Sequence, residues 1–355
     1  MKALPTNSTI GIIGGGQLGR MLALAAAPLG YRVHILDPDP DCCARAVSAA
    51  FTQAAYDDRS ALAAFAGQVD VATYEFENID AAPLEEIASR IGLFPPLNAL
   101  RIAQERVAEK QFAAAHGGRT APWCRVDTRA DLDSAIAQIG TPAILKTVRF
   151  GYDGKGQTRI AARGEADAAW KAIAGNPAIL EALVPFDHEF SILVAHGQDG
   201  ASVTWDAPEN VHIDGILATS TVPAHPEILA QVEEAKALAV RIADALDYVG
   251  VLAIEFFASP DGPVFNEMAP RVHNSGHWTI EGSTTSQFEN HIRAVCGLPL
   301  GVTRQTAQRV SMENLIGNDT ARWASITAEP GAHLHLYGKG APSPGRKMGH
   351  VTRLV

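Results

Sequence analysis

Glu255 and Glu267 flank Pro260-Asp261-Gly262 in "LAIEFFASPDGPVFNEMAP". That tripeptide suits a three-residue hairpin loop, a type I turn with glycine in the left-handed position. Such a loop pairs Ser259 with Pro263, and therefore Glu255 with Glu267. A two-residue loop would shift the register by one and send the glutamates to opposite faces. Directly opposed like charges weaken a sheet by roughly a few tenths of a kcal/mol or more, and a cation between them reverses the sign. An oxygen-only pair fits Mg²⁺ bridging phosphates and suits Zn²⁺ poorly. Just downstream, "PRVHNSGHWT" gathers Arg271, His273, Asn274 and His277. The two histidines stand at i, i+4, but Gly276 breaks a helix and no matching glutamate follows, so the stretch reads as a polar anion-binding loop and not as a zinc pair.

Two glycine-rich stretches could meet phosphate. "LKTVRFGYDGKGQTRI" sets Gly151, Gly154 and Gly156 between two strand-like runs, with Lys146 before them and Lys155 among them. A Walker loop would lead into a helix; this one leads into a strand, and a glycine hairpin of that kind can fold over a triphosphate as a lid. "TIGIIGGGQLGRML" carries Gly14, Gly16 and Gly19 as G-x-G-x-x-G between an apolar strand and a helical pattern, with Asp37 where a ribose-binding acid would fall. Alone it suggests an NAD-dependent dehydrogenase. The same glycines also serve tight strand-to-helix packing, and the parallel-sheet pattern fades near residue 100, before a second mononucleotide half is complete.

The elements that must position these residues follow from periodicity. A chain of 355 residues exceeds the roughly 250 to 300 at which one core stops growing, so two or three domains are expected. Strands at Ile10–Ile13 and Tyr31–Leu36 and within Val69–Phe76, with a helix over Gln17–Ala27, follow βαβ grammar. "FPPLNALRIAQERVAEKQFAAAHG" reads as a helix ending near Gly117 and Gly118. From Thr120 onward short strands suggest antiparallel hairpins, followed by a helix over Pro226–Leu246, the strand pair carrying the glutamates, and a short segment after Thr303 closed by "RKMGHVTRLV". The net charge of −10, with no basic run, argues against a nucleic-acid surface. No stretch approaches 18 uninterrupted apolar residues, so no membrane span is expected. Nothing at the N-terminus resembles a leader, which points to the cytoplasm. Cys42, Cys43, Cys124 and Cys296 form no C-x-x-C and read as free thiols.

"GGGQLGRML", "YEFENI", "GYDGKGQ", "NEMAPRVHNSGHWT" and "GRKMGH", in that order over nearly the whole chain, resemble the signatures of the 5-(carboxyamino)imidazole ribonucleotide synthetase family of the ATP-grasp superfamily. The resemblance implies a mixed α/β and α+β fold in three parts. These are an N-terminal Rossmann-like (pre-ATP-grasp) parallel-sheet domain over 1–100, an ATP-grasp domain over 101–302, and a small C-terminal domain over 303–355. Within the second, a mobile lid would cover about 120–184, and the metal and catalytic part about 185–302. The implied reaction is ATP-dependent carboxylation of 5-aminoimidazole ribonucleotide by bicarbonate in de novo purine biosynthesis, through carboxyphosphate, releasing ADP and phosphate.

By the same resemblance, Arg106 and Lys146 contact the ATP phosphates, with Gly151, Gly154, Lys155 and Gly156 over them and Asn266 nearby. The backbone from Glu181 to Val184 reads adenine, and Glu189 accepts the ribose hydroxyls. Glu255 and Glu267 hold Mg²⁺, or Mn²⁺ in its place. Arg271, His273 and Asn274 cradle bicarbonate or carboxyphosphate, with His273 the candidate base. Gly16, Gln17 and Leu18 receive the phosphoribosyl group, Glu75 meets the substrate amine or ring, and Tyr152, Asp153, Arg346 and Lys347 complete the substrate site. A homodimer is implied, as is a downstream carboxyaminoimidazole ribonucleotide mutase taking the product. A formate-using glycinamide ribonucleotide transformylase and biotin carboxylase share acyl-phosphate chemistry and remain alternatives. A non-catalytic nucleotide-binding module would lack the opposed glutamates.

Overall fold

A computed structural model describes residues 3–149, 151 and 156–355. Among these, three sheets form. β1 (Thr9–Ile13), α1 (Gln17–Ala26), β2 (Arg32–Asp37), β3 (Ala50–Gln53), α2 (Arg59–Ala66), β4 (Val71–Tyr74), α3 (Ala81–Ala88) and β5 (Gly92–Leu93) alternate as their periodicity predicts. They make a parallel sheet in the order β3-β2-β1-β4-β5. β1, β2 and β4 are buried almost throughout, as strands covered on both faces must be.

The helix expected after the Pro-Pro break is two helices, α4 (Leu97–Ala103) and α5 (Arg106–Ala115). Glu105 leaves the helical region at φ −127° and caps the second, its carboxylate accepting from Ala108 N at 2.7 Å. α5 therefore begins at Arg106. β6 (Trp123–Val126), α6 (Arg129–Ile139), β7 (Ala143–Thr147), β8 (Gln157–Ile160), α7 (Ala166–Ala172) and β9 (Ala178–Ala182) then build a small antiparallel sheet in the order β6-β9-β7-β8.

The largest sheet uses β10 (His188–His196), β11 (Ser202–Thr204), β12 (Glu209–Ile213), β13 (Ile216–Val222), β14 (Gly250–Ala258), β15 (Val264–Ala269), β16 (Val310–Ile316), β17 (Ala332–Leu336) and β18 (Lys347–Leu354). Its order is β15-β14-β10-β12-β13-β16-β18-β17, with β11 on β10. The helices among them are α8 (Pro226–Leu229), α9 (Val232–Ala245), α10 (Thr279–Gly282), α11 (Gln287–Val295) and α12 (Trp323–Thr327). The single helix expected over Pro226–Leu246 is thus broken at Ala230-Gln231, where Gln231 Nε2 turns to Glu227 O and Ser259 O. The C-terminal segment is no detached unit: β16 pairs with β13 from Val310↔Val222 to Glu313↔Thr219, so its strands extend the central sheet.

α11 ties the parallel sheet to the central one. Its His291 is fully buried, with Nδ1 accepting from Val251 N at 3.1 Å and Nε2 facing Thr73 Oγ1 at 2.8 Å. That pair of contacts requires the neutral ring with its proton on Nε2. Burial holds the pKa down at about 3. Below its usual value near 6.5 the unfolded chain takes up a proton that the fold refuses, so the stability this residue contributes is lost as pH falls from 6.5 towards 3. The urea-unfolding gap between the natural protein and His291→Gln should therefore shrink by about 2 kcal/mol from pH 7 to pH 5. A gap that does not change with pH would show that the folded ring takes up its proton as readily as the unfolded one.

Candidate active site

The β14–β15 hairpin delivers the expected carboxylate pair by an unexpected route. Gly262 N bonds Ser259 O at 3.0 Å, and Gly262 sits at φ +106°, which glycine alone adopts easily. Next to the turn Phe257 pairs with Val264 and Phe256 with Phe265, a register one residue off that of the three-residue loop expected. Continued, that register would place Asn266 opposite Glu255. Instead the ladder shifts between Glu255 and Phe256, Asn266 becomes the extra residue, and Glu255 faces Glu267.

The two carboxylates differ electrically. Burial and the facing Glu267 push Glu255 up to about 7. Burial acts on Glu267 as well, but Arg106 and Lys146 more than reverse it and hold that carboxyl below its usual range. Arg106 Nη1 lies 3.0 Å from Glu267 Oε2, and His273 Nε2 lies 3.4 Å from Glu255 Oε1. The Oδ1 of Asn266 is buried with no hydrogen-bond partner among the described residues. Two carboxylates and an unpartnered amide oxygen form a hard-oxygen set that fits a divalent cation of the Mg²⁺ type.

Cations stand around this pair. Lys146 of β7 contacts Glu181 of β9 at 2.9 Å, and Lys110 of α5 reaches the same carboxylate at 3.2 Å. Burial opposes this, yet the two lysines hold Glu181 at about 2. Lys110 and Glu109, both buried, were not singled out in the sequence; the available signal was that Lys110 stands four residues after Arg106, on the same helical face. Burial and Glu267 push Glu109 up to about 8. Glu189 is paired with His212 Nδ1 at 2.7 Å, a partner the sequence did not announce. Val184 follows β9 towards Phe186, which stacks on Phe257 at 4.3 Å and forms an apolar wall with Ile144 and Met268. Gly151 lines the cavity, and Gly156 accepts from Thr147 N at 2.7 Å. Tyr152, Asp153, Gly154 and Lys155 lie outside the described residues.

The anion loop departs from expectation. Arg271 forks onto Glu77, with Nη2 2.9 Å from Oε1 and Nε on the other oxygen, and its Nη1 donates to Val272 O at 3.0 Å. Asn274 exchanges amide hydrogen bonds with Asn314 of β16 at 3.0 and 2.8 Å. Of the expected cradle, Asn274 thus pins the loop to the C-terminal strands, while Arg271 has only part of its donors to offer. His273 Nδ1 lies 2.9 Å from Ser275 Oγ, and burial together with Arg271 keeps the ring well below its ordinary pKa, hence neutral. His277 is buried against His350. His188, His225 and Glu227 also cluster, but the two rings stack at 4.1 Å and 19°, so their in-plane nitrogens do not converge on one ion.

The opening glycine turn is filled from within. Glu75 accepts from Gly16 N at 2.5 Å and from Gly19 N at 2.7 Å, a carboxylate at the positive end of α1. A Cβ on Gly16 would lie 2.5 Å from Glu75 Oε1, so the glycine is there to admit that side chain. Asp37 turns onto Gly15 N at 2.5 Å and Tyr56 Oη at 2.7 Å. The amide of Gly16, expected to receive a phosphoribosyl group, is therefore already taken, and so is the acid a dinucleotide ribose would need. Gln17 and Leu18, whose amides lack intrahelical partners, open onto the cavity. Across it stand Arg346, Lys347 and Lys339, the last missed in the sequence, with its Nζ donating to Lys347 O at 2.9 Å. One cavity of about 860 Å³ joins Gln17, Leu18 and these three cations to Arg106, Lys146, Glu255, Glu267, Arg271 and His273.

A two-carboxylate, arginine and lysine centre between a small antiparallel sheet and a large one, behind a parallel-sheet domain, defines an ATP-grasp enzyme. Residues 111–288 match the ATP-grasp domain, 7–104 the ribonucleotide synthetase pre-ATP-grasp domain, and 311–355 the phosphoribosylaminoimidazole carboxylase C-terminal domain. The N5-carboxyaminoimidazole ribonucleotide synthase of Brucella melitensis is 51% identical over 99% of this chain and 98% of its own length. The crystal structure of the synthetase from Thermus thermophilus superposes with a TM-score of 0.91 at 47% identity, covering 98% of this chain and 93% of that one. That of the Aspergillus clavatus synthase, in complex with ADP and 5-aminoimidazole ribonucleotide, gives a TM-score of 0.91 at 32% identity over 99% and 94%. The chain belongs to the N5-carboxyaminoimidazole ribonucleotide synthase family. No helix among the described residues is long and apolar enough to cross a membrane.

Proposed function

We propose that this chain joins bicarbonate to the exocyclic amine of 5-aminoimidazole ribonucleotide while ATP becomes ADP and phosphate, through carboxyphosphate, in de novo purine biosynthesis. The observation that carries the reading is that one cavity holds Glu255 opposite Glu267, with Arg106 and Lys146 beside them, and ends at Gln17, Leu18, Arg346 and Lys347. A relative bound to ADP and the aminoimidazole nucleotide supports it.

Glu255, Glu267 and Asn266 would hold Mg²⁺ or Mn²⁺, which when bound offsets charge on the β- and γ-phosphate oxygens. Arg106 and Lys146 orient the triphosphate. Glu189 accepts from the ribose, while the backbone of Glu181–Val184 and the wall of Ile144, Phe186 and Met268 hold the purine. Gly151, Gly154, Lys155 and Gly156 cover the phosphates. Arg271 and His273 place bicarbonate, with Asn274 fixing their loop. A bicarbonate oxygen attacks the γ-phosphorus and ADP leaves, so that the carbonyl carbon gains phosphate as a leaving group. The amine then bonds to that carbon and phosphate departs. Glu75, held by two amides, accepts from the amine, and neutral His273 takes its proton. Gln17, Leu18, Tyr152, Asp153, Arg346 and Lys347 bind the ribonucleotide. Family membership supports a cytoplasmic homodimer that passes its product to carboxyaminoimidazole ribonucleotide mutase.

Phosphate release from ATP should require both 5-aminoimidazole ribonucleotide and bicarbonate; release indifferent to the ribonucleotide sinks the assignment. Charge-assisted contacts to phosphate are worth about 1.5–3 kcal/mol. Lys347→Ala should accordingly raise the KM for the ribonucleotide about tenfold or more and leave that for ATP within about twofold. Equal effects on both would remove its substrate role.

A further inference from the structure

β15 is the edge strand of the central sheet among the described residues; on its outward side Phe265 N donates to Arg119 O at 2.7 Å. Beyond that bond α5 supplies the partners. Glu109 Oε1 accepts from Met268 N at 2.5 Å, and Lys110 Nζ donates to Asn266 O at 3.3 Å while also pairing with Glu181. Both side chains are almost wholly buried, at 2% and 1% exposure. The groups they hold belong to the residues immediately before and after Glu267, and one of them, Asn266, is the extra residue of the bulge. Two consecutive helical residues thus grip the strand on both sides of the carboxylate that the bulge aims at Glu255.

We propose that Glu109 and Lys110 are positioning residues that hold the β15 bulge and so keep Glu267 opposite Glu255. The pairing next to the turn, if continued, would give the other register, in which Asn266 would face Glu255. A slip to that register restores an unbroken ladder, and it is opposed where the slipped strand would leave Met268 N or Asn266 O unpaired in a buried place. Glu109 acts through its oxygen as an acceptor, and Lys110 acts through its ammonium as a donor; neither needs to touch the cation. The proposal rests on the cation role given above to Glu255 and Glu267.

The test measures Mn²⁺ binding to the full-length protein with ADP, by electron paramagnetic resonance of free Mn²⁺. Glu109→Ala, and Glu109→Asp whose shortened arm keeps the charge but cannot reach Met268 N, should weaken Mn²⁺ about tenfold or more. ADP affinity in EDTA should stay within about twofold of the natural protein. Glu109→Gln keeps an oxygen where the carboxylate stood and should hold Mn²⁺ within about threefold. If Glu109→Ala does not fold, the Asp and Gln variants decide between them. Mn²⁺ binding within twofold in Glu109→Asp overturns the proposal, and so does a Gln variant as weak as the Asp variant, which would make Glu109 a charge acting directly on the ion. A natural protein that binds no Mn²⁺ beyond the ADP control would instead overturn the cation reading, and this proposal with it.

Discussion

Glu267→Gln should lower ribonucleotide-dependent phosphate release by about a thousandfold or more, a loss of about 4 kcal/mol in transition-state stabilisation. The substitution keeps shape and an oxygen for Arg106, which now lies 3.0 Å from Oε2, but removes one of two charges facing across the hairpin. Relieved of that charge, Glu255 should titrate lower than the value near 7 it holds beside Glu267. The ligand-free fold should therefore be unharmed, with a urea-unfolding free energy no lower than the natural one by more than about 1 kcal/mol. Activity and fold separate cleanly in this variant because the repulsion is a cost that the ligand-free protein bears for its site. Turnover that stays within tenfold of the natural rate and still depends on Mg²⁺ would remove Glu267 from the metal role.

Arg271→Lys should cost about a hundredfold or more in turnover, although the charge is kept. The guanidinium binds both oxygens of Glu77, and a lysine offers a point charge where a fork is needed. Glu77 lies on the link after β4 and Arg271 on the loop after β15, so the pair joins the parallel-sheet domain to that loop. Glu77 would keep one partner for two partly buried oxygens, and the loop carrying His273 and Asn274 would lose one of its anchors. If that loop places bicarbonate as proposed, the KM for bicarbonate should rise while the coupled rate falls. A lysine variant with the natural rate and bicarbonate KM would show that the fork is dispensable.

The features legible in the sequence were those written within a few residues of chain. Alternating strand and helix periods announced the parallel sheet, and the hairpin announced two facing carboxylates, though by another register. The helix breaks were less legible: neither Glu105 nor Gln231 is a proline or glycine, and each break depends on side-chain hydrogen bonds. The glycine turn was legible as a turn but not in its occupant, since nothing near residue 16 in the chain states that Glu75 will fill it.

The sequence by itself determined which chemistry was available: two acids on one hairpin, basic residues spaced along strands and helices, and glycines where backbone must approach closely. Only the tertiary structure decided who meets whom. Glu77 and Arg271 stand 194 residues apart, and Met268 N finds Glu109 across 159. The physical reason is that local periodicity specifies the face a side chain occupies, whereas the partner of a buried charge or an edge-strand amide is chosen by packing between elements. A single bulge, invisible in spacing, changes which residue faces which.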